Sequence, residues 1–355
     1  MNLGSRALFF SLLLACRLAT AVADEQSGAE LSELQIDRAL EAIWLKTPSP
    51  KKSSPHFAKQ AALESYITSL GPGTAIITKH EGLTEDATFP PCQFHAEVIA
   101  PTVGYMRVGT FEEELPKRFD YWLRDFLQIG VSNVIIDLRA TSGRGTLALA
   151  GEVSACFLPE GTEAFKIRDA KQTSEIVRTL RKPVSQFRLI ILTGERTGGP
   201  AEAFAGALRA HCGALIIGVS TRGQAADFEL FPLGKERFLR LPVREAVVSG
   251  APHLVPDGLH PDIICSATPE ATDAVLLKEQ QEGRVALFLK EKERARLNEA
   301  ALLANENPET EAWIQAQLAR TKPKAPDLPR DAALSLAMDF LTGWEALYGH
   351  TTSLP

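Results

Sequence analysis

The chain is poor in cysteine: five in 355 residues, with no CxxC pair and no other zinc-type spacing. That excludes a zinc ribbon or a disulfide-dense scaffold. Cys92, Cys156, Cys212 and Cys265 then read as buried small hydrophobes or as one structural bridge. Long apolar runs are also missing. The stretch Ala7–Ala15 is too short to span a bilayer, and no later run is long enough. Positive charge is in deficit, with 38 basic against 44 acidic residues and a net charge of −6. A mildly acidic chain is a poor partner for nucleic acid. There is no internal repeat, and no segment is biased enough to read as disordered.

What is present begins with an export signal. Arg6 supplies a positive start, Ala7–Ala15 an apolar centre, and Ala21-Val-Ala23 a small-residue cleavage site, so residues 1–23 read as a signal peptide. Its removal takes Arg6 and Arg17 and no acid, leaving 36 basic against 44 acidic residues and a net charge of −8. Leu13-Leu-Ala-Cys16 supports a second reading, a lipid anchor at Cys16; the two differ in membrane attachment and agree on an exported, periplasmic or secreted protein. Residues 24–99 read as a helical region with short strands. Apolar spacing predicts helices over Ala29–Leu45 and Phe57–Leu70, the second stopped by Gly71-Pro-Gly73, and short strands at Ala75–Lys79 and His95–Ala100.

Residues 100–265 alternate strand and helix. Strands are predicted at Tyr105–Val108, Val134–Leu138, Leu189–Leu192, Ala214–Gly218, Phe228–Pro232 and Phe238–Pro242, all in one sheet, with helices at Glu112–Gln128 and Thr146–Phe157. Residues 266–355 read as helical, with a charged helix over Glu282–Asn305, a Lys/Pro linker over Thr321–Pro329 and an amphipathic helix over Asp331–Leu347. The segment Leu192-Thr-Gly-Glu-Arg-Thr-Gly-Gly-Pro-Ala-Glu-Ala-Phe-Ala-Gly-Ala-Leu208 is the most informative. An apolar strand ends in a glycine turn and an Ala-rich helix starts at once, so free helical N–H groups lie beside Gly199.

Five stretches in one order resemble the S41 serine peptidases, the tail-specific or C-terminal processing proteases. Gly104-Tyr-Met-Arg-Val-Gly-Thr-Phe111 is similar to the family's "GYIRI..F". Val134-Ile-Ile-Asp-Leu-Arg-Ala-Thr-Ser-Gly-Arg144 is similar to "lIlDLRgNpGG", and Thr197-Gly-Gly-Pro-Ala-Glu-Ala-Phe-Ala-Gly-Ala-Leu208 to "TASASEifAgAL". Ile217-Gly-Val-Ser-Thr-Arg-Gly-Gln224 is similar to "iGe.TfGKG", and Asp257-Gly-Leu-His-Pro-Asp-Ile263 to "dGi.PDi". The resemblance implies an α/β fold with a ClpP/crotonase-like ββα spiral core, flanked here by helical N- and C-terminal segments. The family's PDZ domain is expected to be absent, since the region before the core is too short and shows no "GLG" loop.

The resemblance also implies site roles. The first serine of "TASASE" is the family's nucleophile, the lysine of "GKG" its base, and the glutamate three residues after the serine helps to position the site. The matching positions here are Gly199, Gln224 and Glu202. Glycine has no side chain to attack a carbonyl, and a glutamine amide cannot take up the proton. Gly143 remains from the glycine turn that helps to form the oxyanion hole, but Arg144 replaces the second glycine.

Each candidate keeps a plainer alternative. Glu202 is a relic of the catalytic group or a first-turn carboxylate favoured by the helix dipole, worth about 0.3–1 kcal/mol. Gly198 and Gly199 present bare N–H groups to an extended peptide or form a turn needing positive φ. Arg144 and Arg222 reach the emptied pocket to hold a peptide carboxylate, or are solvated. Asp137 and Arg139 read as a structural ion pair. His253 and His260 lack a third ligand, and neither a metal nor a cofactor is expected. Ser142, Ser154 and Ser220 would need a base beside them, and the sequence places none. The expected protein is an exported, inactive S41-like chain that binds extended polypeptide or a partner protein. The alternatives are a serine peptidase with a rearranged site, or crotonase-like chemistry at a backbone oxyanion hole.

Overall fold

The computed structural model describes residues 35–39, 42, 55–78, 92–141, 143–250, 252–265, 267–289 and 328–348. The signal segment, Cys16, Ser142 and most of the predicted helices over 29–45 and 282–305 lie outside the described residues. The chain divides into two units, residues 1–69 and 70–355. The described part of the first is chiefly one helix, α1 (Pro55–Ser69).

The second unit holds the core. Its larger sheet has six strands: β2 (His95–Ala100), β3 (Val103–Arg107), β4 (Asn133–Asp137), β7 (Arg188–Thr193), β8 (Leu215–Gly218) and β11 (Ile263–Ile264). They lie in the order β11-β8-β7-β4-β3-β2, parallel throughout except for the antiparallel β2–β3 pair. The central strands are apolar without alternation because both faces are covered. On one face Met106, Val134, Ile136, Leu189, Ile191 and Ile216 pack into the main core. This core includes α2 (Leu115–Gln128), α3 (Leu147–Ser154) and α4 (Pro200–Cys212). On the other face Tyr105, Ile135, Ile190, Leu192 and Ile217 meet Val285 and Leu334, Ala337 and Leu341 of the C-terminal helix α6 (Ala332–Tyr348).

Helix ends follow local chemistry. In α2 the buried stripe Leu115, Phe119, Leu123 and Phe126 has helical spacing, and Pro116 fits the first turn, where its missing N–H costs nothing. Thr146 caps α3 by accepting from the Leu149 N–H. Thr268 caps α5 (Pro269–Glu282) in the same way, through Ala271. Helix α4 is buried from Pro200 to Leu208; its alanines let it sit close to the sheet while Phe204 stacks edge-on against Phe111 and Phe119.

The sequence reading needs one correction. The strands at 226–234 and 237–247 do not continue the parallel sheet. They are β9 (Ala226–Gly234) and β10 (Arg237–Val247) of a second, antiparallel sheet with β1 (Ala75–Thr78), β5 (Glu163–Asp169) and β6 (Ser174–Arg178). Their composition gives the reason: both mix charged with apolar residues and are largely exposed or half-buried, whereas the central strands of the parallel sheet are buried throughout.

Candidate functional site

The glycine turn lies between the end of β7 and the start of α4. Thr197 builds it: its N–H donates to the Gly194 carbonyl (3.0 Å), its hydroxyl donates to the Leu138 carbonyl (2.9 Å), and it accepts from the Gly194 N–H (3.0 Å). Gly199 is the α4 N-cap at φ +61, ψ −131, a conformation that a side-chain-bearing residue adopts only under strain. A Cβ at Gly199 would lie 2.8 Å from the Gly143 carbonyl oxygen. The Gly143 turn therefore presents an acceptor to this position. Arg144 is exposed on the same turn.

Glu202, in the first turn of α4, is fully buried. Its Oε1 accepts from the Thr221 hydroxyl and the Gly223 N–H (2.6 Å), and its Oε2 from the Gln224 N–H (2.7 Å). Burial pushes the carboxyl up to about 7, while Thr221 and the amides of Gly223, Gln224 and Gly199 pull the other way. All four partners are donors, so they suit the ionised, acceptor-only form. The Thr221 hydroxyl also accepts from the Leu259 N–H (2.7 Å). Glu202 thereby ties the 221–224 loop to the helix, a role the first-turn position alone did not reveal.

Gln224 and Arg222 are carried on that loop. The Gln224 Oε1 lies 3.6 Å, and the Arg222 Cδ 3.2 Å, from where Gly198 would bear a Cβ. The Arg222 backbone N–H donates to the Thr197 carbonyl (2.9 Å) and its Nε–H to the Glu195 carbonyl (3.1 Å). The fold thus brings Gly143, Gly198, Gly199, Glu202, Arg222 and Gln224 together. A separate cavity of about 240 Å³ lies behind the 194–196 loop, at the carboxyl ends of β7 and β8, lined by Arg139, Thr193, Arg196, Gly218, Arg222 and Asp273. Its lining includes Arg222 but not Gly199, Glu202 or Gln224.

The turn after β4 is fixed by charge. Arg139 donates to both oxygens of Asp137 (Nε–Oδ1 3.0 Å, Nη2–Oδ2 2.6 Å) and to both of Asp331 (Nη1–Oδ1 2.9 Å, Nη2–Oδ2 2.6 Å). Burial alone would raise the Asp137 carboxyl, but Arg139 and the Tyr105 hydroxyl (2.7 Å) hold it below its usual value. The sequence pointed to the Asp137–Arg139 pair and missed Asp331, which comes from a segment 192 residues away.

Among the serines, Ser154 is buried and bonded to the Ala150 carbonyl. Ser220 is different: its hydroxyl lies 2.9 Å from His260 Nδ1, on an exposed surface. The sequence placed no base beside Ser220 because the two residues are 40 apart; the end of β8 and the return into β11 bring them together. Cys92, Cys156, Cys212 and Cys265 are all free, so none is in a disulfide.

A parallel sheet feeding a glycine turn and a buried Ala-rich helix, with a second, antiparallel sheet beside it, defines an α/β core. Residues 102–265 match the model of Peptidase family S41. The chain carries an S41 peptidase domain, homologous to carboxyl-terminal-processing proteases. The carboxyl-terminal-processing protease of Synechocystis sp. is 27% identical over 132 residues, covering 37% of this chain and 30% of that protein. The chloroplastic carboxyl-terminal-processing peptidase 1 of Arabidopsis thaliana is 28% identical over 133 residues, covering 37% of this chain and 27% of its own length. The match thus spans less than a third of either relative. A solved structure from Parabacteroides merdae, described as a candidate peptidase, has a TM-score of 0.50 at 13% identity over 74% of this chain and 88% of its own. It shares the fold.

Proposed function

We propose that this chain is an exported S41 peptidase-like protein without hydrolytic activity, which holds extended polypeptide or a partner protein. The observation that carries this is the Gly199 turn. The nucleophile position has no side chain, the base position is Gln224, and the Gly143 carbonyl oxygen faces the place where a nucleophile's Cβ would stand. A side chain placed there would be forced against that oxygen, so the turn is packed for glycine and not for a nucleophile. Crotonase-like chemistry would need Glu202 to move a proton, yet both its oxygens already accept hydrogen bonds within the fold. Export rests on the pattern of residues 1–23 and anchoring on Cys16; among the described residues no helix is long and apolar enough to cross a membrane.

The test is incubation of the purified protein with unfolded protein substrates and a fluorophosphonate probe. Neither cleavage nor labelling is expected, while an unfolded polypeptide should be retained in a pull-down. Cleavage or labelling that disappears on altering a serine would overturn the proposal. A second reading, a serine peptidase with a rearranged site, has one observation in its favour, the Ser220–His260 hydrogen bond. Labelling lost in Ser220→Ala would establish it.

A further inference from the structure

The C-terminal segments, outside the stretch that matches the family, are fastened to the core by buried charge. Arg107 Nη1 on β3 donates to Glu279 Oε2 on α5 (3.1 Å), and Arg139 grips Asp331, whose Oδ1 accepts from the Leu334 N–H (3.0 Å) at the start of α6. Glu97 on β2 accepts from the Val285 and Ala286 N–H groups between the two helices. Arg139 lies between the two turns of the site: its Cα is 3.3 Å from where Gly194 would carry a Cβ, and it opens the turn leading to Gly143.

The cluster does not balance with every group charged. It holds three carboxyl groups, Asp137, Glu279 and Asp331, against two guanidinium groups, Arg107 and Arg139, and none is more than 5% exposed. Among the described residues, Glu279 Oε1 has no hydrogen-bond partner, and neither has Arg107 Nε. The other groups facing it do not supply the missing charge. Tyr105 on β3 and Cys92 before β2 are acids that burial keeps protonated, the Cys92 thiol being pushed up to about 11. His95 on β2 is paired with Glu97. A buried carboxylate in excess of its cationic partners takes a proton rather than remain charged.

We propose that α5 and α6 form a proton-coupled latch on the two turns that frame Gly199: docking takes up one proton, held on Glu279, and release gives it back. Burial first, with Asp331 adding to it, pushes the Glu279 carboxyl up to about 9, while the undocked side chain titrates in the ordinary carboxylate range. The raised acid gives stability that is fully present below the ordinary value and is lost as pH rises toward 9. The latch is therefore tight in acid and loosens through neutral pH. It stands whether or not the Gly199 site binds polypeptide.

The test is hydrogen exchange, read as protection factors for the amides of 140–147 and 333–341 between pH 5 and pH 8.5. Opening of both segments in the unaltered protein should increase together, approaching tenfold per pH unit. Glu279→Gln keeps an acceptor for Arg107 and fixes the neutral state, so its slope should fall to the shallower remainder set by Glu202. Asp331→Asn restores the balance of two carboxylates and two guanidiniums, so Glu279 can ionise in place and that slope should flatten too. Glu202 contributes equally to all three proteins, and the difference in slope reports the latch. Equal slopes in the three proteins, or no slope in the unaltered one, would overturn the proposal. A slope confined to 333–341 would overturn the coupling to the site.

Discussion

Substituting Gly199 probes the packing of the glycine turn directly. Gly199→Ala adds one methyl group at φ +61, ψ −131, where the new Cβ meets the Gly143 carbonyl oxygen at 2.8 Å and its carbon at 3.5 Å. A side chain in a sparsely allowed backbone region costs about 1–3 kcal/mol. Forcing a methyl group against a packed backbone adds about 1–3 kcal/mol. The expected loss is therefore about 2–6 kcal/mol, or a fall in Tm of roughly 5–18 °C. Gly130 provides the control: it lies at φ +86 and a Cβ there meets nothing within 4 Å. Gly130→Ala should cost only the backbone term, about 1–2 kcal/mol. Urea denaturation followed by tryptophan fluorescence compares the two. If Gly199→Ala is no less stable than Gly130→Ala, the Gly143 carbonyl does not face the position and the closed-site reasoning fails.

Other expectations follow from the same geometry. Gly199→Ser should show no hydrolysis of unfolded casein, and adding Gln224→Lys should not restore it, because the Gly143 carbonyl still crowds the serine side chain; turnover by the double variant would show that the turn can reopen. Glu202→Gln should cost about 1–3 kcal/mol in chemical denaturation, since an amide NH2 then faces a backbone donor at Gly223 or Gln224. Glu202 also sets a pH dependence. With its carboxyl up at about 7 in the fold and near 4.5 unfolded, it should lower stability by roughly 3 kcal/mol between pH 4.5 and pH 7, and Glu202→Gln should flatten that limb. Phe204→Ala should cost about 3–5 kcal/mol, because the ring is fully buried among Phe111, Phe119 and Phe157. An Ellman titration should find Cys92, Cys156 and Cys265 unreactive in the native protein and reactive once it unfolds.

Much of the local architecture is legible in the sequence because it is locally determined. The apolar run at 134–136 needs two covered faces, Pro116 and Pro200 mark helix starts, and the glycines at 198 and 199 mark the turn. Gln224, matched by motif, does come near that turn, its Oε1 3.6 Å from where Gly198 would carry a Cβ. What the sequence hides is long-range. Strands β5 and β6 mix charge with apolar residues, so they carried no clear period and were not expected. The division into two sheets depends on which edges pair, and the charges scattered through 226–247 are the local hint of it. Glu279 and Asp331 read as ordinary helix charges until the fold buries them against Arg107 and Arg139, 172 and 192 residues away. Ser220 and His260 likewise meet only through the return of the chain into β11.

The central claim is that serine-type hydrolysis is absent from this chain. Fluorophosphonate labelling of the purified protein, resolved by peptide mass spectrometry, tests it most directly. The expected result is no serine modified above the level of the urea-unfolded protein. Stoichiometric modification of a serine in the folded protein, Ser220 first among them, together with cleavage of an unfolded substrate, would contradict it.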